Sequence, residues 1–331
     1  MSEPSIDVVG VGNAIVDVIA EVDDSFIVDH GLVKNSMTLI DGERADLLGA
    51  AMPPGIVASG GSAANTMVGV ANFGGVAAYL GLVAADDLGE VFRSDLRAAG
   101  VGFDVPGKVD GLPTARCLIQ VTSDAQRTLN TYLGVSAHLS PDEIDEVLVA
   151  SASHLYCEGY LWDMEPAKAG IRHAMDVAGG AGRTVSLTLS DSFCVERHRA
   201  DWRELLSGRV DVLFGNAHEL RALYEVDDLE LAADAVAEDV DVAFVTLGRH
   251  GSLVVAGSDR IRVAADELDH GVVDTTGAGD LYASGVLAGL SRGATLERAA
   301  RLGSIAAAEI IGHLGARPEA NLAAIAERVL D

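Results

Sequence analysis

Asp274-Thr275-Thr276-Gly277-Ala278-Gly279-Asp280, continuing into Leu281-Tyr282-Ala283-Ser284-Gly285-Val286-Leu287, reads as a loop that turns into a helix. No apolar periodicity precedes Gly279, and small and apolar residues then recur at helical spacing as far as Leu290. A helix N-terminus offers unpaired N–H groups and the positive end of the helix dipole. Because the residues there are small, the N–H groups of Gly277, Ala278 and Gly279 are open to a phosphoryl group. A carboxylate on the first helical turn lies beside such an anion, within reach of the proton of an attacking hydroxyl, and Asp280 holds that position. Read for structure alone, Asp280 is an N-terminal helix carboxylate and the glycines only tighten a turn.

Working outward from this stretch, strand, loop and helix alternate. Ile6 to Val11 is a β-branched strand, followed by Gly12-Asn13-Ala14-Ile15-Val16-Asp17. Gly10-x-Gly12 after a strand raises a dinucleotide-binding reading, but Ile15 stands where its third glycine is needed and no helical pattern opens there. Asp17 among Ile15, Val16, Val18 and Ile19 is either a half-buried carboxylate that needs a partner, such as vicinal sugar hydroxyls, or a strand residue turned to solvent. Gly55 to Ala58 reads as a strand joined by Ser59-Gly60-Gly61-Ser62 to a helix over Ala63 to Phe73, with Asn65 one turn in.

Further units are Val76 to Val83 then Glu90 to Ala99, Ser153 to Cys157 then Glu165 to Val177, and Thr184 to Leu189 then Ser192 to Leu206. Val210 to Phe214 then Ala217 to Tyr224, and Val242 to Leu247, complete the series. Such alternation implies a mostly parallel sheet covered on both faces, an α/β fold. Val18 to Ile40 and Thr114 to Tyr132 break the rhythm with strand-like alternation and no helix between strands; Asp124-Ala125-Gln126 reads as a hairpin turn. These segments are candidates for a small β-lid over the open end of the sheet, where ligands of such folds bind.

Composition narrows the function. The chain has 331 residues, 49% hydrophobic, enough for a large core, and its length suits one α/β domain with an insertion or two domains. A net charge of −27 with only Lys34, Lys108 and Lys168 as lysines disfavours nucleic acid and anionic membranes as partners. An anionic nucleotide must be held by local donors and Mg²⁺. No apolar run is long enough to span a bilayer and Met1-Ser2-Glu3-Pro4 lacks a basic start, so a cytoplasmic protein is expected. Cys117, Cys157 and Cys194 are widely spaced and read as reduced thiols. No Gly-x-x-x-x-Gly-Lys-Ser/Thr loop and no metal-ligand cluster occurs, and His198, His250 and His313 read as surface or satisfied residues.

Asp-Thr-x-Gly-Ala-Gly-Asp followed by a small-residue helix resembles the C-terminal signature of the ribokinase-like (PfkB-type) carbohydrate and nucleoside kinases. The match extends to Gly60-Gly61-Ser62 through Asn65 to Gly74-Gly75, Gly81-x-Val83 with Asp86 and Gly89, Asn216-x-x-Glu219, and Thr246-Leu247-Gly248 with Gly251. Gly12-Asn13-x-x-x-Asp17, Leu189-Ser190-x-x-Phe193 and Leu213-Phe214-Gly215-Asn216 are most similar to the adenosine kinases among them.

The resemblance implies a three-layer α/β/α sandwich with a mostly parallel central sheet and a small β-lid. It also implies one kinase domain over 1–331, the lid coming from about 18–40 and 114–132. It implies ATP-dependent phosphorylation of a hydroxymethyl group, most closely the 5′-hydroxyl of adenosine, with a sugar or broader nucleoside kinase as the alternative. On this pattern Asp280 is the base and Gly277, Ala278 and Gly279 hold the phosphate. Asn13, Asp17, Leu39, Gly61, Ser62, Asn65, Arg127, Tyr160 and Leu161 would bind the substrate. Asn216, Glu219, Thr246, Gly248, Gly251 and Thr275 would serve ATP, with Glu219 reaching Mg²⁺ through water. The family's base-stacking aromatic falls at Leu161, with Tyr160 beside it, and a lid position often held by Gln is Met37. The implied partners are a small-molecule nucleoside or sugar and ATP, with a monomer or homodimer as the assembly.

Overall fold

The computed structural model describes residues 5–330 except 110, 125 and 267–270. Met1 to Pro4, and Ala125 of the expected turn, lie outside the described residues. The strands are β1 (Ile6–Val11), β2 (Ile15–Glu21), β3 (Met37–Leu39), β4 (Ile56–Gly60), β5 (Ala77–Leu80), β6 (Ala115–Val121) and β7 (Arg127–Tyr132). They continue with β8 (Ala152–Glu158), β9 (Thr184–Thr188), β10 (Val212–Asn216), β11 (Val242–Thr246), β12 (Ser252–Ala256) and β13 (Asp259–Val263). Eight form one sheet in the order β13-β12-β11-β10-β9-β8-β1-β5. Six of these, from β11 to β5, run parallel, and β12 and β13 add an antiparallel hairpin at one edge.

Because side chains alternate across a strand, each apolar run feeds two cores. Val9, Leu155, Leu213 and Val255 pack with helices Glu165–Gly180, Ser192–Arg209, Ala217–Tyr224 and Leu229–Asp239. Their neighbours Val8, Tyr156, Val212, Phe214 and Val254 pack on the opposite face with helices Ser62–Asn72, Ala278–Ser291 and Leu296–Ile310. The result is the three-layer α/β/α sandwich, with Cys117, Cys157 and Cys194 free and buried.

A second sheet has the order β3-β7-β6-β2-β4. The three residues Gly12 to Ala14 carry the chain from β1 in the main sheet to β2 in this one, so Asn13 and Asp17 lie where the two sheets meet. Several expectations need correction. The strand read at Gly55 to Ala58 is β4, which pairs antiparallel with β2 in the second sheet and not with the main one. Its exposed first half suits an edge strand, but which sheet accepts it is a long-range choice. Within 18–40, a helix at Asp24–Asp29 interrupts what alternation alone suggested was strand, and β2 begins at Ile15, ahead of Val18. The helix Gly42–Ala51 and the hairpin β12–β13 were also not legible from periodicity. No helix among the described residues is long and apolar enough to cross a membrane.

Candidate active site

The C-terminal ends of β1, β8, β9, β10 and β11 open into a cavity of about 660 Å³, covered on one side by β2, β3, β6 and β7. That size suits a drug-sized ligand. At its floor the Gly277 backbone is left-handed (φ 78°), and the helix Ala278–Ser291 starts from it. A side chain on Gly277 would collide with Ala316, so the tight turn requires glycine. The amides of Gly277, Gly279 and Asp280 find no acceptor among the described residues, whereas Ala278 N–H donates to the Thr275 carbonyl at 3.2 Å. Ala278 therefore does not contribute the open donor expected of it, because the turn itself consumes that N–H. Gly277, Gly279 and Asp280 line the cavity, and neither Ala278 nor Thr275 does.

Asp280 is held from the facing helix: Ser62 Oγ donates to Oδ1 at 2.7 Å and Asn65 Nδ2 to Oδ2 at 2.9 Å. Burial raises its pKa, against the lowering effect of Asn65, Ser62 and the more distant Arg317. Asn65 Oδ1 remains buried without a partner, an acceptor left over for a ligand. Asp17 on β2 is different: its carboxylate accepts no hydrogen bond within the chain among the described residues, and burial pushes its pKa up to about 6 despite Arg317 and Arg127. It lies over Gly60, whose missing side chain makes the room. Gly61, with φ 94°, brings the same segment close to the Asn13 carbonyl and lines the cavity beside Ser62.

Glu158, at the end of β8, ties these pieces together. It accepts from Asn13 N–H at 2.7 Å, Asn13 Nδ2 at 3.0 Å and Ala63 N–H at 2.8 Å, and burial carries its pKa to about 7 against those bonds. Sequence reasoning missed it, although a carboxylate directly after Leu155-Tyr156-Cys157 was a signal of a buried, hydrogen-bonded acid. Arg127 does not line the cavity; it pairs with Asp274 at 2.8 Å and so joins the start of β7 to the loop before the anion turn. Burial alone would raise the Asp274 pKa, but bonds from Gly315 and Thr276, with the Arg127 charge, bring it below the ordinary value.

Toward the lid, Leu39, Met37 and Leu129 line the cavity, and Tyr160 faces it from the β8 side. Leu161 does not reach it: the side chain is 2% exposed and belongs to the main core, because the turn after β8 sends successive side chains in opposite directions. Phe193, 71% exposed, is an aromatic on the cavity wall. At the β10–β11 side Asn216, Glu219 and Thr246 line the cavity. Both Glu219 oxygens already accept from Asn216, from its N–H at 2.9 Å and its Nδ2 at 2.5 Å, in a capping box. Gly248 and Gly251 do not line it; a side chain on Gly251 would strike the Val263 carbonyl, so that glycine serves the turn between β11 and β12. His198 pairs with Asp163, and His313 with Glu309 and Glu319.

The pattern of the pfkB family carbohydrate kinases matches residues 57–322, and the chain belongs to that family. An adenosine kinase from Sinorhizobium meliloti has the same fold at TM-score 0.90 and 49% identity, covering 98% of this chain and 99% of that one. A probable sugar kinase from Rhizobium etli superposes at 0.91 with 46% identity, covering 98% of both chains. An ATP-dependent ribose-1-phosphate kinase from Halopiger xanaduensis is 32% identical over 81% of this chain and 85% of its own length. The protein is thus a phosphotransferase of the ribokinase-like superfamily, a carbohydrate or nucleoside kinase of a family that uses ATP.

Proposed function

We propose that the protein transfers the γ-phosphoryl group of ATP to the 5′-hydroxyl of adenosine, releasing AMP and ADP. The observation that carries this reading is one cavity holding two carboxylates in different states, Asp280 fixed by Ser62 and Asn65 beside open amides, and Asp17 unpaired. Asp17 and the orphaned Asn65 Oδ1 suit the vicinal hydroxyls of a ribose, with Asn13 at the same end. Leu39, Met37, Leu129, Tyr160 and Phe193 supply more apolar wall than a free pentose can cover, and a purine ring fills it.

In this arrangement Asp280 takes the proton of the 5′-hydroxyl as that oxygen attacks phosphorus and the bond to the ADP oxygen breaks. The Gly277 and Gly279 amides face the negative charge that spreads over the transferred group. Asn216, Glu219 and Thr246 lie on the side left for the nucleotide. The described residues hold no cluster of three or more acidic, His or Cys ligands for a metal. Each Glu219 oxygen accepts one bond from Asn216, and contact through water would leave both intact, so the residues fit an ion carried in on the nucleotide. Mg²⁺ bound in that way would neutralise phosphate charge.

The likeness to a probable sugar kinase keeps a free sugar as the second reading. A panel of nucleosides and sugars with ATP and Mg²⁺, followed by ADP release and by AMP formation, tests the choice. Adenosine is expected to give the highest kcat/KM. Preference for ribose or fructose would sink the nucleoside reading.

A further inference from the structure

Arg317 follows the bend Gly315-Ala316, whose Ala316 abuts the Gly277 turn, and nothing in the reaction above uses it. Its Nη1 donates to the Ala64 carbonyl at 3.0 Å, and its Nη2 to the Ser59 carbonyl at 3.2 Å and Ser59 Oγ at 3.0 Å. It makes no ion pair among the described residues. The two acceptor residues belong to different parts of the site. Ser59 sits near the end of β4, one residue before the Gly60 on which Asp17 rests, and Ala64 lies in the first turn of the helix that carries Ser62 and Asn65. A guanidinium costs much to bury, and three neutral acceptors do not neutralise its charge.

We propose that Arg317 is a positioning residue that ties the end of β4 to the Ser62–Asn72 helix and serves as the positive charge shared by Asp17 and Asp280. This rests on reading Asp280 as the base. Asp280 raises the Asp17 pKa, and the charge of the half-buried Arg317 lowers the pKa of both carboxylates. The charges acting on Arg317 are those of Asp17 from β2, Asp280 from the Ala278–Ser291 helix and Asp95 from the Asp87–Ala98 helix; the Tyr79 phenol on β5 is also near it but stays neutral, burial holding its pKa well above the ordinary value. Arg127 acts on Asp17 from the lid, and Glu158 feels Asp280 from β8. Among the charges lowering the Asp17 pKa, that of Arg317 is the largest, and it is the one that acts on Asp280. Burial in turn brings the Arg317 pKa down to about 10, so the side chain remains charged at neutral pH.

Two variants separate the charge from the hydrogen bonds. Arg317→Gln keeps donors for the carbonyls and loses the charge; Arg317→Lys keeps the charge and loses the fork. In profiles of kcat/KM against pH, Arg317→Gln is expected to move the acid limb upward by about one pH unit, and Arg317→Lys to leave the limb in place with a lower plateau. Carbon-13 titration of the Asp17 and Asp280 carboxyls, assigned with Asp17→Asn and Asp280→Asn, should show the same displacement without any turnover. A rate loss of equal size at every pH in both variants, with the carboxyls titrating as in the wild type, would make Arg317 a structural tie and overturn the proposal. Where Arg317→Gln yields no folded protein, Arg317→Met takes its place as the neutral variant, and an acid limb and carboxyl titrations that stay at their wild-type positions overturn the proposal. Near-normal turnover of Asp280→Asn would remove Asp280 as base, and the carboxyl titration would still report what Arg317 does.

Discussion

Asp280 and Asp17 line the same cavity and are both driven toward protonation by burial, yet the chain treats them in opposite ways. Asp280 stands at a helix N-terminus with each oxygen engaged by a side chain of the facing helix, a fixed geometry of the kind proton transfer needs. Asp17 stands on a strand of the covering sheet with no bond of its own, kept free for a ligand. On the proposed function, the contrast separates a group that does chemistry from one that serves recognition.

The sharpest way to break the contrast is Asp280→Asn. The amide keeps the shape, the Ser62 hydroxyl can turn from donor to acceptor, and only the proton acceptor is lost. We expect kcat to fall by about 10² to 10⁴-fold, roughly 3 to 5 kcal/mol of barrier, with ATP affinity nearly unchanged. Turnover close to the wild type in a folded Asp280→Asn would reduce that residue to a helix carboxylate.

Asp17→Asn should act on the other quantity. The amide keeps one acceptor oxygen, so one charge-assisted bond to a hydroxyl is lost, worth about 1.5 to 3 kcal/mol; KM for adenosine should rise about 10- to 150-fold, and 2′-deoxyadenosine should be a poor substrate of the wild type. An equal loss in kcat with KM unchanged would erase the distinction between the two acids.

The same residue predicts a stability effect. Its pKa rises from 3.8 to about 6 on folding, so the folded chain binds more protons than the unfolded one within that window. Stability must then fall as pH rises through it, and the cost stands in full above it. Asp17→Asn is therefore expected to be more stable than the wild type at about pH 7 and to lose that advantage near about pH 4. Denaturant unfolding at both pH values checks this, and a variant less stable at neutral pH contradicts an uncompensated carboxylate.

The smallest effect concerns the contact between the two regions. Arg127→Ala removes the Arg127–Asp274 pair, while Gly315 and Thr276 still satisfy Asp274. KM for both substrates should rise only several-fold, with faster hydrogen exchange in β6 and β7 and little change in the main sheet. Uniform acceleration throughout the protein would show that the second sheet does not move as a separate cover.

Much of this site could be read early because its determinants are local. Gly277 before a small-residue helix marks a turn with open amides, and strand, loop and helix in alternation mark a covered parallel sheet, although β4 shows that one such unit can give its strand to the other sheet. Gly251 shows the limit of such reading. A glycine after a strand signals a special backbone, and only the presence of the Val263 carbonyl reveals that packing, not a ligand, demands it. Tyr160 and Leu161 show it again, since neighbouring residues on a turn face opposite ways and short-range pattern does not say which one meets the cavity.

By itself the sequence determined the chemistry available at the floor: an N-terminal carboxylate and a glycine turn, each fixed by neighbours a few residues away, whereas it left open whether Asp17 faced a ligand or solvent. Tertiary structure alone decided that β4 joins the covering sheet, that Glu158 pins Asn13 to the helix at Ala63, and that Arg317 comes to rest on Ser59 and Ala64. The hydrogen bonds of Glu158 and Arg317 join residues from 95 to 258 positions apart, and their energy comes from burying charge and polar groups together, which no window along the chain contains.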